Sequence, residues 1–363
     1  MPQLHKIAII GCGNWGSAIC RIVGENAVKF PDLFDKCVRM WVFEELVDGK
    51  KLSEIINNEH VNRKYLPDVK LPENVLAVPD LVESAKDATI LIFAIPHQFV
   101  AKTCKTLSGK IREDAIGVSL IKGLSASPDG SARLISSEVR DLLNGKIEIA
   151  VLMGANLANE VAEDQFCEAT IGTKNKKTGL LLKLLFDTGN FRTTVVGDLE
   201  TVEVCGALKN VVACAVGFSD GLGYADTTKS ALIRIGLVEM IRFIQYFFKS
   251  THLRTFLESC GVADLITTCY GGRNRRCAAA MVYTGQSIEE VEKELLNGQK
   301  LQGPATAAQA SEMIERANLL DEFPLFVAVH KVCKGQFKPE QMLDHIRSFP
   351  VETIDSMTFL PPP

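Results

Sequence analysis

Short apolar runs alternate with amphipathic stretches through the first half of the chain. The runs contain few polar positions, as expected of strands that are covered on both faces. They predict strands at residues 7–10, 38–43, 75–78, 89–95, 116–121, 147–153, 170–172 and 191–196, with a helical stretch at 132–143. Residues 27–36 look like an insertion before the second strand. Strands that alternate with helices predict crossover connections and a mainly parallel sheet.

The pattern changes near Gly197, where apolar positions switch to helical spacing. Helices are predicted at residues 200–218, 228–249, 287–296, 304–317 and 324–332, and no convincing strand follows residue 197. We therefore predict an α/β domain over residues 1–197 and an all-helical domain over residues 198–363. The length of 363 residues agrees with a chain of two domains.

A strand, a glycine-rich turn and a helix follow one another near the N-terminus. The apolar run 7–10 leads into Gly11-Cys12-Gly13-Asn14-Trp15-Gly16, and an apolar helical stripe begins at Trp15. In this arrangement Gly11 makes the tight turn, Gly13 lets the backbone approach a pyrophosphate, and Gly16 lets helix and strand pack closely. The motif in this context predicts a dinucleotide site. The alternative is a turn whose glycines serve geometry alone.

Composition and charge narrow the class of partner. The hydrophobic content of 47% is that of a globular protein, and the net charge of −4 argues against a nucleic-acid partner. The eleven cysteines show no CxxC spacing, which argues against a structural zinc site, and no other metal is suggested. Their odd number and the lack of a targeting segment before the first strand favour a cytoplasmic location. No apolar run approaches eighteen residues, so we expect no membrane span.

Polar side chains follow several predicted strands, where open parallel sheets bind their ligands. Glu44 and Glu45 follow the second strand, and a carboxylate there favours NAD over NADP by accepting hydrogen bonds from the adenosine ribose. It is equally consistent with the sequence that Glu44 and Glu45 are solvated acids on the protein surface. His97 follows the fourth strand and is interpreted as a polar residue lining the cofactor rather than a catalytic acid. Lys122 follows the fifth strand, and this position favours an anion site over a surface lysine.

The helix predicted at residues 200–218 is apolar nearly all round, which indicates a place in the core. Lys209 and Asn210 stand in its middle. A buried ammonium group is costly unless it is paired or faces a polar cavity. Because small residues share this face, a ligand could approach closely, and we favour a functional lysine over a structural ion pair.

A second unusual stretch is Thr267-Thr268-Cys269-Tyr270-Gly271-Gly272-Arg273-Asn274-Arg275-Arg276. Arginine binds phosphate in a bidentate manner, which makes this stretch a candidate anion site. Three arginines within four residues cannot all point one way, so we expect at least one to be solvated or structural. Asp264 lies one helical turn before Thr268 and could hold a lysine in place.

At these stretches the chain closely resembles NAD-dependent glycerol-3-phosphate dehydrogenase of the eukaryotic cytosolic type, from residue 4 to about residue 335. The motifs that carry the likeness are Gly11-Cys12-Gly13-Asn14-Trp15-Gly16, Trp41-Val42-Phe43-Glu44-Glu45, Ile95-Pro96-His97-Gln98-Phe99, Leu120-Ile121-Lys122-Gly123, Met153-Gly154-Ala155-Asn156, Cys205-Gly206-Ala207-Leu208-Lys209-Asn210, the stretch from Asp264 to Arg276, and Asn297-Gly298-Gln299-Lys300-Leu301-Gln302-Gly303. The resemblance implies a Rossmann-type domain followed by a helical substrate domain, usually in a homodimer. It also implies a small phosphorylated three-carbon substrate, with interconversion of dihydroxyacetone phosphate and sn-glycerol 3-phosphate by NADH or NAD.

The resemblance also implies roles for individual residues. Lys209 is implied as the catalytic lysine, with Asp264 and Lys122 beside it. The residues implied to line the substrate are Lys122, Asn210, Asp264, Thr268, Arg273 and Asn274. The residues implied to contact the cofactor are Gly11, Cys12, Gly13, Asn14, Trp15, Gly16, Phe43, Phe99, Ala155, Arg273, Lys300 and Gln302. One departure is Cys12, which stands where a small residue such as Ser or Gly is expected and could make the turn oxidisable.

Two other functions stay open at this point. A related dehydrogenase acting on a hydroxy acid would also combine a Rossmann domain with a helical domain, but would need a carboxylate clamp rather than a phosphate clamp. A non-catalytic NADH-binding regulator would use the fold to bind a partner protein. The presence of Lys209, Asn210 and Arg273 argues against a loss of catalysis.

Overall fold

The structure is a computed structural model that describes residues 3–126, 132–250, 252–296 and 299–350. Contacts divide the chain into two compact units. Unit 1 comprises Met1–Ile121 with Ile135–Leu199, and unit 2 comprises Lys122–Leu134 with Glu200–Pro363. A single division at residue 197 assigns residues 122–134 to the first domain, whereas the contacts of the described residues in this range associate them with the helices of unit 2.

The strands of the described residues are β1 (His5–Ile10), β2 (Phe34–Trp41), β3 (Leu46–Val47), β4 (Lys50–Lys51), β5 (Val61–Asn62), β6 (Leu66–Lys70), β7 (Val75–Val78), β8 (Ile90–Phe93), β9 (Ile116–Ser119), β10 (Leu124–Ala126), β11 (Ala132–Leu134), β12 (Glu148–Gly154), β13 (Cys167–Gly172) and β14 (Phe191–Val196). Eight strands of the described part of unit 1 build one sheet in the order β14-β13-β12-β9-β8-β1-β2-β7, and β3 with β4 and β5 with β6 form two small antiparallel sheets. Neighbouring strands run parallel except β12 and β13, which confirms the predicted mainly parallel sheet.

The order of the strands creates a binding crevice in unit 1. The chain builds outward from β1 through β2 to β7 and then returns to the other side of β1 with β8. Because the connections leave β1 and β8 in opposite directions, a crevice opens at the carboxyl ends of these two strands. Doubly wound sheets bind dinucleotides at such a switch point.

The helices of unit 1 are α1 (Asn14–Lys29), α2 (Leu52–Glu59), α3 (Leu81–Ala85), α4 (Val100–Leu107), α5 (Ile135–Leu142), α6 (Ala158–Ala162) and α7 (Lys176–Phe186). Helices and loops cover both faces of the sheet, so alternate residues of β1 belong to different clusters: Ile7 and Ile9 pack on one face, and Ala8 and Ile10 pack on the other. This burial on both sides explains why β1 is an uninterrupted apolar run.

Unit 2 consists largely of helices. They are α8 (Leu199–Gly221), α9 (Asp226–Phe248), α10 (Asp264–Gly271), α11 (Arg273–Thr284), α12 (Ile288–Leu296), α13 (Gln302–Arg316), α14 (Pro324–Cys333) and α15 (Pro339–Arg347). From Glu200 onward the described residues contain no strand, as predicted, although the β10–β11 hairpin joins this unit from the first half of the chain. Helix α8 is long and apolar enough to span a membrane by length and composition, but its apolar window is completely buried, as in the core helix of a globular protein.

Two local predictions are wrong. Residues 132–134 form strand β11, which pairs with β10, and the helix begins only at Ile135, because the hairpin partner overrides the helical spacing. Residues 27–36 are not an insertion, since α1 continues to Lys29 and β2 begins at Phe34. Phe34 is buried, but Lys36 and Cys37 are exposed. The first residues of β2 therefore do not form the continuous apolar run by which the other strands were predicted.

Candidate active site

The glycine turn of unit 1 has a geometry that requires its glycines. Gly11 has a φ of +119°, and a side chain there would lie 2.7 Å from the carbonyl oxygen of Ala94 at the end of the neighbouring β8 strand. A side chain at Gly16 would collide with the carbonyl oxygen of Gly11. At Gly13, by contrast, no atom of the described chain beyond the residue itself and its two neighbours lies within 4 Å of the position that a Cβ would take. The turn is therefore tight against β8 and open beside Gly13, as a pyrophosphate site requires.

The start of α1 adds the features of an anion site. Gly13 caps this helix, and no side chain of the described residues accepts hydrogen bonds from its first turn. Unpaired N–H groups and the helix dipole favour an anion at such a position. Asn14 donates to the carbonyl oxygen of Tyr65 at 2.8 Å and to Oδ1 of Asn159 at 2.7 Å. The first turn of α1 therefore has the properties predicted for a phosphate-binding turn.

The side chains of Cys12 and Trp15 pack inward. Cys12 is buried, and burial raises the pKa of its thiol to about 11, so the thiolate needed for oxidation is scarce at neutral pH. Oxidation of Cys12 in this turn stays a prediction from the sequence. Trp15 packs on the apolar core near the ring of Phe191. A contact of Cys12 with a dinucleotide would therefore come from its backbone.

Two large aromatic side chains of unit 1 are exposed near the ends of strands. Phe43 lies beyond β2 with 67% of its surface exposed, and Phe99 lies beyond β8 with 49% exposed. Ala155 follows β12 directly. Exposed aromatic rings beside a nucleotide-binding crevice can stack on the flat faces of bases.

The two acids after β2 have partners within unit 1. Glu44 accepts hydrogen bonds from the backbone N–H of Ser53 at 3.2 Å and from its hydroxyl at 2.5 Å. Glu45 accepts from the hydroxyl of Tyr65 at 2.8 Å and pairs with Lys64. Partial burial raises the pKa of Glu45, but hydrogen bonds from Lys64 and Tyr65 outweigh it, and the pKa lies below its usual value. Both acids therefore have partners in the local structure, and the ribose contact stays a prediction.

The lysine cluster of unit 2 is formed by Lys209, Asp264, Thr268 and Lys122. Lys209 on α8 is buried and donates to Oδ1 of Asp264 and to the hydroxyl of Thr268, the latter at 2.6 Å. Both acceptors lie on α10, one turn apart. Lys122 donates to the other carboxylate oxygen of Asp264 at 2.9 Å. The contact between Asp264 and a lysine that the sequence suggested is therefore present, and the carboxylate serves two lysines.

The electrostatics of the cluster favour proton transfer at Lys209. Burial lowers the pKa of its ammonium group, the carboxylate of Asp264 raises it, and the positive charge of Lys122 lowers it; the net effect is a pKa below the usual lysine value. An ammonium group with a lowered pKa gives up its proton more readily at neutral pH. The cluster can therefore both stabilise a negatively charged oxygen and exchange a proton with it.

A chain of amides lies beside the lysine cluster. Asn274, the second residue of α11, donates to Oδ1 of Asn210 at 2.8 Å and accepts from the backbone N–H of Gly303 at 2.8 Å. Asn210 donates to the carbonyl oxygens of Gly206 and Ala207 on its own helix. A side chain at Gly303 would collide with the sulfur of Cys214, so glycine allows this close approach. The two predicted substrate residues thus tie α8, α11 and the start of α13 together.

The three arginines of the 273–276 stretch have different surroundings, and one of them is held in a structural ion pair, as expected. Arg273 is exposed at the start of α11 and donates to Oε1 of Gln299 at 3.1 Å. Arg275 is half-buried and pairs with Asp220 at 2.5 Å, whereas Arg276 is exposed. No side chain of the described residues caps α11, whose N-terminus begins against the turn that contains Thr268. Arg273 and this helix N-terminus together form a cationic surface close to the lysine cluster.

Lys300 and Gln302 flank the start of α13. The ammonium group of Lys300 pairs with the buried carboxylate of Glu292 at 2.7 Å, and the same carboxylate accepts from the backbone N–H of Leu301 at 2.8 Å. Gln302 is the first residue of α13. Asn297 and Gly298, which belong to the same sequence motif, lie outside the described residues.

Comparison with known proteins assigns the family. Residues 6–179 match the family described as NAD-dependent glycerol-3-phosphate dehydrogenase N-terminus, and residues 198–344 match its C-terminus. The chain is 58% identical over 355 residues to probable glycerol-3-phosphate dehydrogenase 2 of Caenorhabditis elegans, covering 95% of this chain and 90% of the relative. It is 58% identical over 350 residues to the cytoplasmic NAD(+) glycerol-3-phosphate dehydrogenase of Drosophila melanogaster, covering 96% of each. A solved glycerol-3-phosphate dehydrogenase from Saccharomyces cerevisiae is 41% identical with a TM-score of 0.87, covering 95% of this chain and 99% of that one.

This chain belongs to the NAD-dependent glycerol-3-phosphate dehydrogenase family.

Membership in the glycerol-3-phosphate dehydrogenase family makes the chain an NAD-dependent oxidoreductase, which confirms the predicted enzyme class and cofactor. Several relatives are named as cytoplasmic, in agreement with the predicted location. The family match continues to residue 344, somewhat beyond the residue 335 that the sequence resemblance suggested.

Three residues of the glycerol-3-phosphate dehydrogenase chain contact predicted site residues but were not singled out from the sequence. Gln299 accepts from Arg273, Glu292 holds Lys300, and Asn62 reaches the glycine turn. Gln299 stands inside a motif of the resemblance, which gave a signal for it. Glu292 and Asn62 lie in charged stretches, where nothing local distinguishes a buried side chain from a solvated one.

Proposed function

We propose that the chain interconverts dihydroxyacetone phosphate and sn-glycerol 3-phosphate, with Lys209 exchanging a proton with the C2 oxygen and Arg273 binding the phosphate. The observation that carries this proposal is the buried ammonium group of Lys209, held by Asp264 and Thr268 on the neighbouring helix. A fixed cation in a water-poor site stabilises developing negative charge far better than one in solvent.

Unit 1 has the features that NAD requires. The open space beside Gly13 and the uncapped first turn of α1 suit a pyrophosphate, while Gly11 and Gly16 keep the turn compact. Phe43 and Phe99 offer exposed rings to the flat parts of a dinucleotide. The cofactor, when bound, supplies or accepts the hydride at C2 of the substrate. The backbone of residues 11–16 and the nearby Ala155 complete the cofactor surface that we assign to this unit.

Lys209 serves both directions of the reaction. During reduction the carbonyl carbon gains a hydride and its oxygen becomes negative, so the Lys209 ammonium stabilises the oxygen and gives it a proton. During oxidation the neutral amine of Lys209 takes the proton from the C2 hydroxyl. The lowered pKa makes both forms accessible near neutral pH. Asp264 fixes the direction of the Nζ atom, and Lys122 shares that carboxylate.

We assign the binding of the substrate phosphate to the N-terminus of α11. Arg273 offers a guanidinium group that is not consumed in the reaction, and the uncapped helix N-terminus adds N–H donors. A side chain at Gly272 would lie 2.5 Å from the carbonyl oxygen of Thr268, so α11 begins directly beside the partner of Lys209. This proximity suits a small substrate whose ketone and phosphate are separated by one carbon atom.

The other implied contacts complete the proposal. Asn210 and Asn274 line the substrate from the amide chain, and Thr268 lines it from α10. Arg273, Lys300 and Gln302 also contact the cofactor, which for Lys300 requires its ammonium group to be shared with or released from Glu292. We propose in addition that the enzyme works in the cytoplasm as a homodimer, without a nucleic-acid partner.

The test compares two buried lysines of unit 2. Lys209→Ala should lower kcat for reduction of dihydroxyacetone phosphate by about 10²–10⁴-fold, because the stabilising cation and proton donor are lost. Lys229 is a matched control, because it is also buried. Its ammonium group lies 3.1 Å from the carboxylate of Asp220, which is near the C-terminal end of α8 and away from Lys209. Lys229→Ala should lower the melting temperature while keeping kcat close to that of the wild type.

Single-turnover oxidation of NADH, NADH affinity and melting temperature are measured on the same preparations. NADH affinity should barely change in Lys209→Ala, because the pyrophosphate is assigned to the turn of unit 1. A well-folded Lys209→Ala protein with near-normal hydride transfer would refute the catalytic role and make Lys122 the next candidate. Faster turnover of 3-hydroxy acids than of glycerol 3-phosphate would instead favour a hydroxy acid dehydrogenase.

A further inference from the structure

A buried amide of unit 1 contacts the glycine turn from fifty residues away. Asn62 is the last residue of β5 and has no exposed surface. Its Nδ2 atom donates to the carbonyl oxygen of Cys12 at 2.8 Å and to the hydroxyl of Ser17 at 2.9 Å. Its Oδ1 atom accepts from the backbone N–H of Tyr65 at 3.2 Å. A buried amide with both donors and its acceptor engaged is held in one orientation.

These bonds fix the orientation of one peptide group in the turn. The carbonyl oxygen of Cys12 accepts from Asn62 and also from the hydroxyl of Ser17 at 3.1 Å. Because a trans peptide is planar, its C=O and the following N–H point in opposite directions. Holding the Cys12 oxygen toward Asn62 therefore turns the N–H of Gly13 the other way. Gly13 is the position at which the structure leaves open space.

The same hairpin also holds the next residue of the turn. Asn14, the first residue of α1, donates to the carbonyl oxygen of Tyr65, and Tyr65 in turn donates its N–H to Asn62. The β5–β6 hairpin thus contacts the turn on both sides of Gly13. Its hydrogen bonds therefore fix both the peptide that faces the open space and the first residue of α1.

We propose that Asn62 is a positioning residue that aims the N–H of Gly13 at the cofactor pyrophosphate. The inference rests on the proposed assignment of the pyrophosphate to this turn. Asn62 does not touch the cofactor itself. It acts through the Cys12 carbonyl, so its loss should weaken every ligand that contains the pyrophosphate by the same factor, whether or not the ligand carries a nicotinamide.

The test measures dissociation constants of NADH and of ADP-ribose, which keeps the pyrophosphate but lacks the nicotinamide. Asn62→Ala should raise both constants about tenfold, since one well-oriented donor is worth roughly a factor of ten. Ser17→Ala removes one of the two donors to Cys12 with little change in volume and should raise both constants about threefold. This second variant keeps the test decisive if Asn62→Ala folds poorly.

Asn26→Ala is the matched control. Asn26 is also buried in unit 1, and its Nδ2 atom also donates twice, to the carbonyl oxygens of Leu185 and Asp187. It lies toward the other end of α1, so its loss should lower the melting temperature without changing either dissociation constant. Unchanged constants in both Asn62→Ala and Ser17→Ala, or an equal rise in Asn26→Ala, would overturn the positioning role.

Gly13→Val separates this inference from the proposed function beneath it. The valine would extend into space that the described chain leaves open, so the protein should fold while its side chain blocks the pyrophosphate. Unchanged NADH affinity in Gly13→Val would overturn the assignment of the turn itself. Weaker binding in Gly13→Val together with normal binding in the Asn62 and Ser17 variants would overturn only the role of Asn62.

Discussion

The glycine turn of unit 1 and the lysine cluster of unit 2, to which we assign the pyrophosphate and the reacting oxygen, present positive charge by opposite means. The turn has no charged side chain: it offers backbone N–H groups, a helix N-terminus and the space left by Gly13. The cluster buries an ammonium group and a carboxylate, Lys209 and Asp264, with Lys122 on the second carboxylate oxygen. A pyrophosphate keeps its charge throughout the reaction, whereas the substrate oxygen gains and loses charge.

The difference has a physical reason. Backbone dipoles bind a permanent anion without an exchangeable proton and without the desolvation cost of a buried charge. A transient charge on a reacting oxygen requires a group that can both stabilise it and pass a proton. The turn should therefore be sensitive to shape and direction, and the cluster should be sensitive to charge balance.

The largest expected effect is on the charge balance of the cluster. Asp264→Ala leaves two ammonium groups facing each other and should destabilise the protein by about 3–5 kcal/mol, because a buried charge loses its partner. The double variant Lys209→Met, Asp264→Leu replaces the buried pair by apolar groups and should regain most of that stability but no activity. Urea unfolding and turnover of dihydroxyacetone phosphate measure the two properties.

Two results would contradict this contrast between the glycine turn and the lysine cluster. A double variant as unstable as Asp264→Ala would mean that the cluster stabilises unit 2 through shape rather than through charge. A large loss of ADP-ribose affinity in either variant would mean that the cluster also supports the pyrophosphate, which we assign to the turn alone.

The next effect concerns the phosphate end of the substrate. Arg273→Ala should lower kcat/KM for dihydroxyacetone phosphate by the equivalent of about 2–5 kcal/mol, because a charge-assisted contact is lost. Both kcat and KM should change, since binding energy at a remote group supports the chemical step. A truncated ketone without the phosphate should react with the variant and the wild type at nearly the same rate.

Arg276→Ala is the control for this prediction, because Arg276 is an exposed arginine on the same helix. It should leave the kinetics of both ketones close to those of the wild type. If Arg273→Ala impairs the truncated ketone as much as the full substrate, Arg273 is structural or binds only the cofactor.

The smallest expected effect is on the choice between NADH and NADPH. Glu44 and Glu45 have protein partners, but their negative charges still lie beyond β2, where a ribose is expected. We expect kcat/KM to favour NADH, and Glu45→Gln should narrow the preference by about 1 kcal/mol through weaker repulsion of the 2′-phosphate. Glu25→Gln is the control: it changes an acid that pairs with Arg21 on α1, and it should leave the preference for NADH unchanged. Equal or better kcat/KM with NADPH in the wild type would contradict the preference.

The sequence by itself determined the features that depend on local order. Apolar runs and helical spacing predicted the parallel sheet and the helices after Gly197. Strands and helices can be predicted in this way because each has a characteristic spacing of apolar residues along the chain. The glycine spacing after β1 predicted the turn, and Lys209 stood out because it lies in the middle of a helix that is apolar nearly all round. The family resemblance then supplied roles for these residues.

Only the tertiary structure decided which distant groups meet. Asp264 lies 55 residues from Lys209 and 142 from Lys122, and Asn62 lies 50 residues from Cys12. Packing also gave Glu44 a partner in Ser53 and joined residues 122–134 to unit 2. Local patterns record the period of a helix or strand, but a buried polar group is satisfied by whatever donor or acceptor the fold brings within about 3 Å. For this reason the sequence could show that Lys209 needs a partner, whereas only the tertiary structure brings its ammonium group to Asp264 and Thr268 of α10.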